Sequence, residues 1–517
     1  MERAAIVERI RSRDPWDMVI IGGGATGLGA AVDAAARRYR VLLLEAHDYA
    51  KGTSSRSTKL VHGGVRYLAE GDISLVREAL HERGLLCKNA PHLVHERAFV
   101  VPSYSFWGRP YYGLGLKVYD VLAGGQTLGG SRTLSRAEAI ARVPTLEPQG
   151  LRGGVLYHDG QFDDARLAIT LLRTLLDLGG TALNYAPVTA LIKRGGRLSS
   201  VVARDSETGE ELTIDAGAVI NATGVFVDSI RRLDDPEASL LVTPSQGTHL
   251  VLDRAFLPGD AALMVPKTDD GRVLFAIPWH DRTLIGTTDT KVDRTAVEPR
   301  PLADEVEFLL RHAARYLTRD PQRSDVLSAF AGLRPLVRPA HATETAKISR
   351  EHTIIVSKSG LVTIAGGKWT TYRRMGAEVV AHAAEVAGLS PRACATETLA
   401  LHGWEAAHRN GLPLSVHGAD QPALDALCAE RPEWDQRLHP RLPYRGGEVV
   451  WAARYEQART VEDVLARRTR ALFLDARASA EAAPDAAELL AASLHKDATW
   501  QAEQVKRYRE LAQGYVL

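Results

Sequence analysis

Gly22-Gly23-Gly24-Ala25-Thr26-Gly27 constrains this chain more than any other stretch, because of what flanks it. Met18-Val19-Ile20-Ile21 before it is short, apolar and largely β-branched, the texture of a buried parallel strand. Ala30 to Ala36 after it is an alanine-rich helix former, and Val41-Leu42-Leu43-Leu44 is a second buried strand that ends in Glu45. Together they make a β-α-β unit within about 30 residues. In the pattern G-x-G-x-x-G, Gly22 permits the tight turn, Gly24 lets a pyrophosphate approach the backbone, and Gly27 lets helix and strand pack closely. The pyrophosphate would rest on N–H groups at the positive end of the helix. Glu45 can accept hydrogen bonds from both ribose hydroxyls, and an acid there argues against a 2′-phosphate. The unit reads as a dinucleotide site and leaves the identity of the dinucleotide open.

The chain is 517 residues long, which at about 150 residues per domain suggests about three domains. With 45% hydrophobic and 25% charged residues it has the composition of an ordinary globular protein. A net charge of +1 gives no general reason to expect nucleic-acid binding, so a charge-driven partner needs a local patch. Cys87, Cys394 and Cys428 are odd in number and far apart, which supports neither a disulfide framework nor a metal site and fits a reducing, cytoplasmic setting. The first residues, Met1-Glu2-Arg3-Ala4-Ala5, are too charged for a secretory signal, and no apolar run approaches the roughly 18 residues that span a bilayer.

Leu167 to Leu178 has helical spacing and stops at Gly179-Gly180. Val188 to Ile192, Leu198 to Val202 and Leu212 to Ile214 predict a small antiparallel meander, followed by the strand Ala218 to Ala222. Alternating apolar segments from 241 to about 290 predict a larger sheet. Beyond residue 390 alanine, arginine and glutamate dominate, predicting a helical domain with one helix opened by Thr460 as N-cap and Asp463 three residues on.

The stretch from Gly52 to Tyr67, GTSSRSTKLVHGGVRY, resembles the signature of the FAD-dependent glycerol-3-phosphate dehydrogenases, a branch of the D-amino-acid-oxidase-like flavoproteins. Further matches follow in the family's order: Asp163-Asp164-Ala165-Arg166-Leu167, Asn221-Ala222-Thr223-Gly224, Ile277-Pro278-Trp279, Ile285-Gly286-Thr287-Thr288-Asp289, Gly332-Leu333-Arg334-Pro335-Leu336, Ile348-Ser349-Arg350-Glu351 and Gly366 to Arg373. The resemblance spans about residues 14 to 390, and Ala458 to Arg468 resembles the family's helical domain. It implies an α/β fold: a Rossmann-type FAD-binding domain (14–92, 155–235 and 325–388), an inserted mixed-sheet substrate domain (93–154 and 236–324) and a C-terminal helical domain (389–517).

For FAD the resemblance implies contacts from Gly22, Gly24, Ala25, Thr26, Gly27 and Glu45, then from Thr53, Ser54, Ser55, Lys59, Leu60, His62 and Gly63. Later in the chain it implies Val188, Thr223, Gly224, Gly366, Gly367, Lys368 and Thr370. Thr53-Ser54-Ser55 offers hydroxyls and N–H groups to phosphates, and Gly63-Gly64 and Gly366-Gly367 would let backbone approach the flavin ring.

Arg66, Tyr67, Arg334, Arg350 and Lys368 are the positions it places around a glycerol phosphate, and Arg suits a phosphate dianion through its planar fork of donors. Arg66 and Arg334 each follow a glycine turn, a way to aim a side chain into a cleft. His62 is the candidate base for the C2 hydroxyl, with His249 as rival and Arg334 as a further catalytic group. Gln246 stands where many family members have lysine.

The expected reaction is oxidation of sn-glycerol 3-phosphate to dihydroxyacetone phosphate by hydride transfer to flavin N5, with a quinone as acceptor. Alternatives are an oxidase that uses O₂ and a related amine- or amino-acid-oxidising flavoprotein. A non-catalytic flavin binder is disfavoured by the presence of His62, Arg66 and Arg334. A homodimer, a cytoplasmic location and peripheral contact with the inner face of the cell membrane are further expectations. Arg454, Arg459, Arg467, Arg468 and Arg470 could meet anionic lipid, but Glu456, Glu462 and Asp463 interleave with them, so the run reads as a solvated helix face.

Overall fold

The computed structural model describes residues 3–12, 14–65, 68, 72–126, 128–338, 352–404 and 415–517. Its centre is the parallel sheet that the glycine motif requires. Trp16–Ile21 pairs in parallel with Val41–Leu44 on one side and with Glu211–Asn221 on the other. Thr181–Leu183 extends one edge in parallel, and Leu361–Gly366 with His352–Val356 extends the other. These strands are apolar on both faces because both are covered: Ala25–Ala36, Asp164–Asp177 and Tyr372–Val386 pack over one side, and Arg3–Arg11 with Arg197–Arg204 over the other. Val188–Arg194, Arg197–Arg204 and the start of Glu211–Asn221 form the antiparallel meander.

A second, ten-stranded mixed sheet stands against the first. Its longest pairing joins Val242–Asp253 to Val326–Val337, and Val94–Ser103 pairs with Gly153–Phe162 along its other half. Leu60–Val61, Gly153–Phe162 and Val326–Val337 all belong to this sheet. Boundaries at 92, 155 and 325 therefore cut the second sheet and move outwards. The reason is physical: a strand joins the sheet that satisfies its N–H and C=O groups, whichever segment precedes it.

The C-terminal region is helical from Gln421–Ala429 to Ala498–Gln513, around its own core of Val449, Leu465, Leu472 and Leu490. That core is shared with Val251, Trp279 and Phe330 of the second sheet, so the domain is packed onto the substrate half. Thr460 and Asp463 form the expected reciprocal cap, with Asp463 N–H donating to Thr460 Oγ1 at 3.2 Å and Thr460 N–H to Asp463 Oδ2 at 2.9 Å. The turn they open is a π-helix, Asp463–Arg468, rather than an α-helix. The architecture is the expected α/β fold, a Rossmann-type unit with a mixed-sheet domain and a helical C-terminal domain.

Candidate active site

A cavity of about 520 Å³ runs between the two sheets, from Glu45 at one end to Arg334 at the other. At the first end the walls are main chain. Gly22, at φ 111°, donates its N–H to Leu44 O at 2.8 Å and turns the chain out of the strand. Gly24 caps the helix, and Ser54 Oγ accepts the N–H of Ala25 at 2.9 Å. A Cβ on Gly27 would lie 1.8 Å from Gly22 O, so this glycine serves the helix–strand contact and does not line the cavity.

Glu45 closes this end. Its carboxylate accepts N–H of Gly23 at 2.6 Å and of His47 at 2.8 Å, each oxygen keeping a further lone pair for a ligand hydroxyl. Burial pushes the carboxyl above its ordinary value, and the two N–H bonds oppose that rise. Thr26, Thr53, Leu60, Val188, Thr223 and Gly224 also line the cavity. Thr223 Oγ1 donates to Asn221 Oδ1 at 2.7 Å, which fixes that turn. Glycine cradle, helix N-terminus and buried acid on one continuous wall fit the adenosine and pyrophosphate of a dinucleotide.

His62, Gly366, Gly367, Lys368 and Thr370 line the middle of the cavity. Gly366 and Gly367 have φ of 82° and 80°, the left-handed conformation that favours glycine, and a Cβ on Gly367 would meet Met375 Sδ at 2.3 Å. Trp369, which sequence reasoning gave no role, lines the cavity and donates from its indole to Ser54 O at 2.9 Å.

Besides Gly27, three expected FAD contacts lie elsewhere. Lys59 is fully buried behind the cavity wall, where its ammonium donates to Asp164 Oδ2 at 2.6 Å and to Ser55 O at 2.8 Å. Burial pushes it down to about 7, with Arg470 adding to the fall and Asp164 opposing it. Ser55 is buried behind the same wall, holding that ammonium through its carbonyl. Gly63 faces two helices: a Cβ there would sit within 2.6 Å of Leu80 and of the Tyr119 hydroxyl, which already accepts the Gly63 N–H at 2.9 Å. Within a continuous motif, adjacent residues point to different sides of the chain.

The far end is made of side chains. Arg334 donates to Thr288 O at 2.9 Å, Thr287 Oγ1 at 3.2 Å and Gln246 O at 3.3 Å, with Asp289 Oδ1 at 3.4 Å. Gly247 makes room for it, since a Cβ there would meet the guanidinium at 2.3 Å. Gly286 does the same for His249, whose ring would lie 2.1 Å from a Cβ. His249 stacks on Phe330 at 4.9 Å, and its Nε2 shares a hydrogen bond of 2.9 Å with Thr58. Burial, then the charges of Lys59 and Arg334, push its imidazole well below 6.5.

Gln246 turns away to Glu305, which also accepts hydrogen bonds from Thr248, Thr288, Thr290 and the Leu302 N–H. Glu305 thus braces the strand that presents His249 and the Thr288 segment whose carbonyl holds Arg334. Sequence reasoning missed it, although Thr287-Thr288-Asp289 was among the family matches and its hydroxyls needed an acceptor. Arg66, Tyr67 and Arg350 lie outside the described residues.

Comparison with known proteins agrees with this geometry. The model of the FAD dependent oxidoreductase family matches residues 17–373, and that of the C-terminal domain of alpha-glycerophosphate oxidase matches 362–501. A probable mitochondrial glycerol-3-phosphate dehydrogenase of Caenorhabditis elegans is 40% identical, over 98% of this chain and 74% of that protein. The mitochondrial glycerol-3-phosphate dehydrogenase SDP6 of Arabidopsis thaliana is 39% identical, over 97% of this chain and 86% of its own length. The crystal structure of the Bacillus halodurans glycerol-3-phosphate dehydrogenase with FAD superposes with a TM-score of 0.81 at 27% identity, covering 100% of this chain and 98% of that one. With this cavity and these relatives, the chain belongs to the FAD-dependent glycerol-3-phosphate dehydrogenase family.

Proposed function

We propose that the chain oxidises sn-glycerol 3-phosphate to dihydroxyacetone phosphate and passes the electrons to a quinone at a membrane surface. The observation that carries the reading is Arg334, fixed by hydrogen bonds at one end of a cavity whose other end is a dinucleotide cradle. Arg334 and Lys368 supply positive charge for the substrate phosphate, and the family resemblance adds Arg66, Tyr67 and Arg350. An amino-acid carboxylate would need fewer cations than this set.

FAD, when bound, supplies the two-electron acceptor that takes the hydride from C2. The protein holds C2 in place by gripping the phosphate, and His62 takes the C2 hydroxyl proton on a ring nitrogen. His62 and His249 both line the cavity, and His62 is preferred as base on the surroundings of its rival. His249 is buried, stacked and beside two cations, so a proton there is disfavoured. It orients Thr58 and the substrate end instead.

One surface feature supports membrane contact. Trp107, Tyr111, Leu114, Val118 and Val121 recur every three or four residues around the helix Gly108–Ala123, and each is between 41% and 79% exposed. No helix among the described residues is long and apolar enough to cross a membrane. The inner face of the same helix holds Gly63 through Tyr119, next to His62. Docking at the cytoplasmic face of the cell membrane would therefore bring lipid-borne quinone near the flavin. Homodimer formation, the remaining expectation, is read by sedimentation of the holoenzyme.

Anaerobic addition of glycerol 3-phosphate to the purified yellow protein is the test. Bleaching of the flavin, followed by recovery on adding a short-chain quinone, is expected. Absence of bleaching would sink the substrate, and one hydrogen peroxide per turnover in air at full rate would replace the quinone by O₂.

A further inference from the structure

The arginine run near residue 470 reads as a solvated helix face, and the structure places three of its five arginines in the interior. Arg467, Arg468 and Arg470 are no more than 3% exposed. The π-helix Asp463–Arg468 widens the turn that carries the first two. Arg470 then takes φ 142°, a backbone conformation that a non-glycine residue adopts only under constraint. All three guanidinium groups point into the nucleotide-binding half.

Their partners bracket one segment. Arg468 grips both oxygens of Asp48, at 2.5 and 2.9 Å, and Arg467 Nε donates to Asp48 Oδ2 at 2.5 Å. Arg470 donates to Ser55 O at 2.9 Å and to Asp164 Oδ1 at 3.1 Å. Lys59 donates to the same Ser55 carbonyl, and Asp164 also accepts from Ser57 N–H and Oγ. Asp48 and Ser55 enclose the stretch that follows Glu45 along the cavity wall, including Thr53 and Ser54. Ser54 in turn caps the first N–H of the phosphate-binding helix. Burying these cations is costly, and their carboxylate and carbonyl partners offset that cost.

We propose that the C-terminal helical domain is a working part of the cofactor site: Arg470, aided by Arg467 and Arg468, holds residues 48–57 in the shape that receives the FAD pyrophosphate. Arg470 is thus a positioning residue acting through Ser55. The proposal rests on FAD as the cofactor. It differs from domain glue in what it predicts, because a second buried pair, Arg166 with Glu456 at 2.9 Å, joins the same domain to the helix Asp164–Asp177 without touching residues 48–57.

The test uses full-length apoprotein titrated with FAD, read by quenching of flavin fluorescence and by the rise in melting temperature on saturation. Arg470→Met is expected to raise the FAD Kd about 30-fold, the value of one charge-assisted hydrogen bond, and to shrink the FAD-induced rise. Arg470→Lys keeps the charge beside Asp164 but loses the fork, and is expected in between. The double variant Arg166→Met with Glu456→Met should lower the apoprotein melting temperature while leaving Kd within about threefold. Equal changes of Kd in Arg470→Met and the double variant would overturn the proposal. If Arg470→Met does not fold, an unchanged Kd in Arg470→Lys would overturn it instead. A wild-type apoprotein that takes up no FAD would sink the cofactor reading itself, an outcome distinct from either.

Discussion

At the dinucleotide end of the cavity the working groups are backbone N–H donors, delivered within six residues by Gly22 to Gly27 and closed by one acid, Glu45. At the substrate end they are side chains: Arg334 and His249 come from paired strands of the second sheet, while Lys368 and His62 come from loops in distant parts of the chain. The first end tolerates almost no added atom, and the second depends on a network of acceptors that can be weakened step by step. Local geometry gives an all-or-none site, and assembled side chains give a graded one.

Gly27→Ala tests the first half of that contrast and should have the largest effect. Its Cβ would fall 1.8 Å from Gly22 O, where only backbone could give way, so the purified protein should lack flavin absorbance near 450 nm. A yellow variant would show that the backbone wall yields. His62→Gln comes next: flavin content should stay normal while kcat/KM falls about 10³-fold, the usual worth of a positioned base. Arg334→Met should cost about 10²-fold in kcat/KM, again with flavin retained, through loss of a charge-assisted grip on phosphate. Loss of flavin in either variant would mean that the two ends are not separable.

Glu305→Gln should cost about tenfold in kcat/KM by loosening the Thr288 segment that holds Arg334. Burial pushes this carboxyl up, but hydrogen bonds from Thr248, Thr290 and Gln246 win and hold it below 4.5. Its stabilising contribution is therefore complete above pH 4.5 and is lost as the pH falls through the folded value. Urea midpoints of wild type and variant should converge in acid, and a constant gap would refute this role. His249→Asn should have the smallest effect on rate, a few-fold, and should not move the acid limb of kcat/KM between about pH 6 and 8. Because its imidazole lies well below 6.5 in the folded state, unfolding takes up a proton below that pH. The wild type should consequently lose stability relative to the variant as pH drops below 6.5.

Legibility followed the same division. The β-α-β unit could be read because strand, turn and helix are set by neighbours in sequence, and the structure has the parallel pairs Met18–Val41 and Met18–Ala218 at its centre. Lys59 and Gly63 were misplaced because the motif from Gly52 to Tyr67 gives no register: Leu60 lines the cavity while Lys59, one residue earlier, points to Asp164. The arginines near 470 were read as solvated because acids interleave with them. Three of those arginines reach Asp48, Ser55 and Asp164, more than 300 residues away, and the interleaving Glu462 and Asp463 turn inward with Arg467. Glu305 escaped notice because one carboxylate serving four side-chain donors leaves no mark at sequence spacing.

The sequence by itself determined that this chain builds a dinucleotide site, since a glycine turn between an apolar strand and a helix has few other uses. It also determined the family, through motifs that keep their order along the chain. Tertiary structure decided which residues of those motifs face the cavity, which glycines make room for Arg334 and His249, and which cations serve the cofactor wall from the C-terminal domain. Backbone preferences act over a few residues, whereas the burial of a charge is settled only by the partner that folding brings to it.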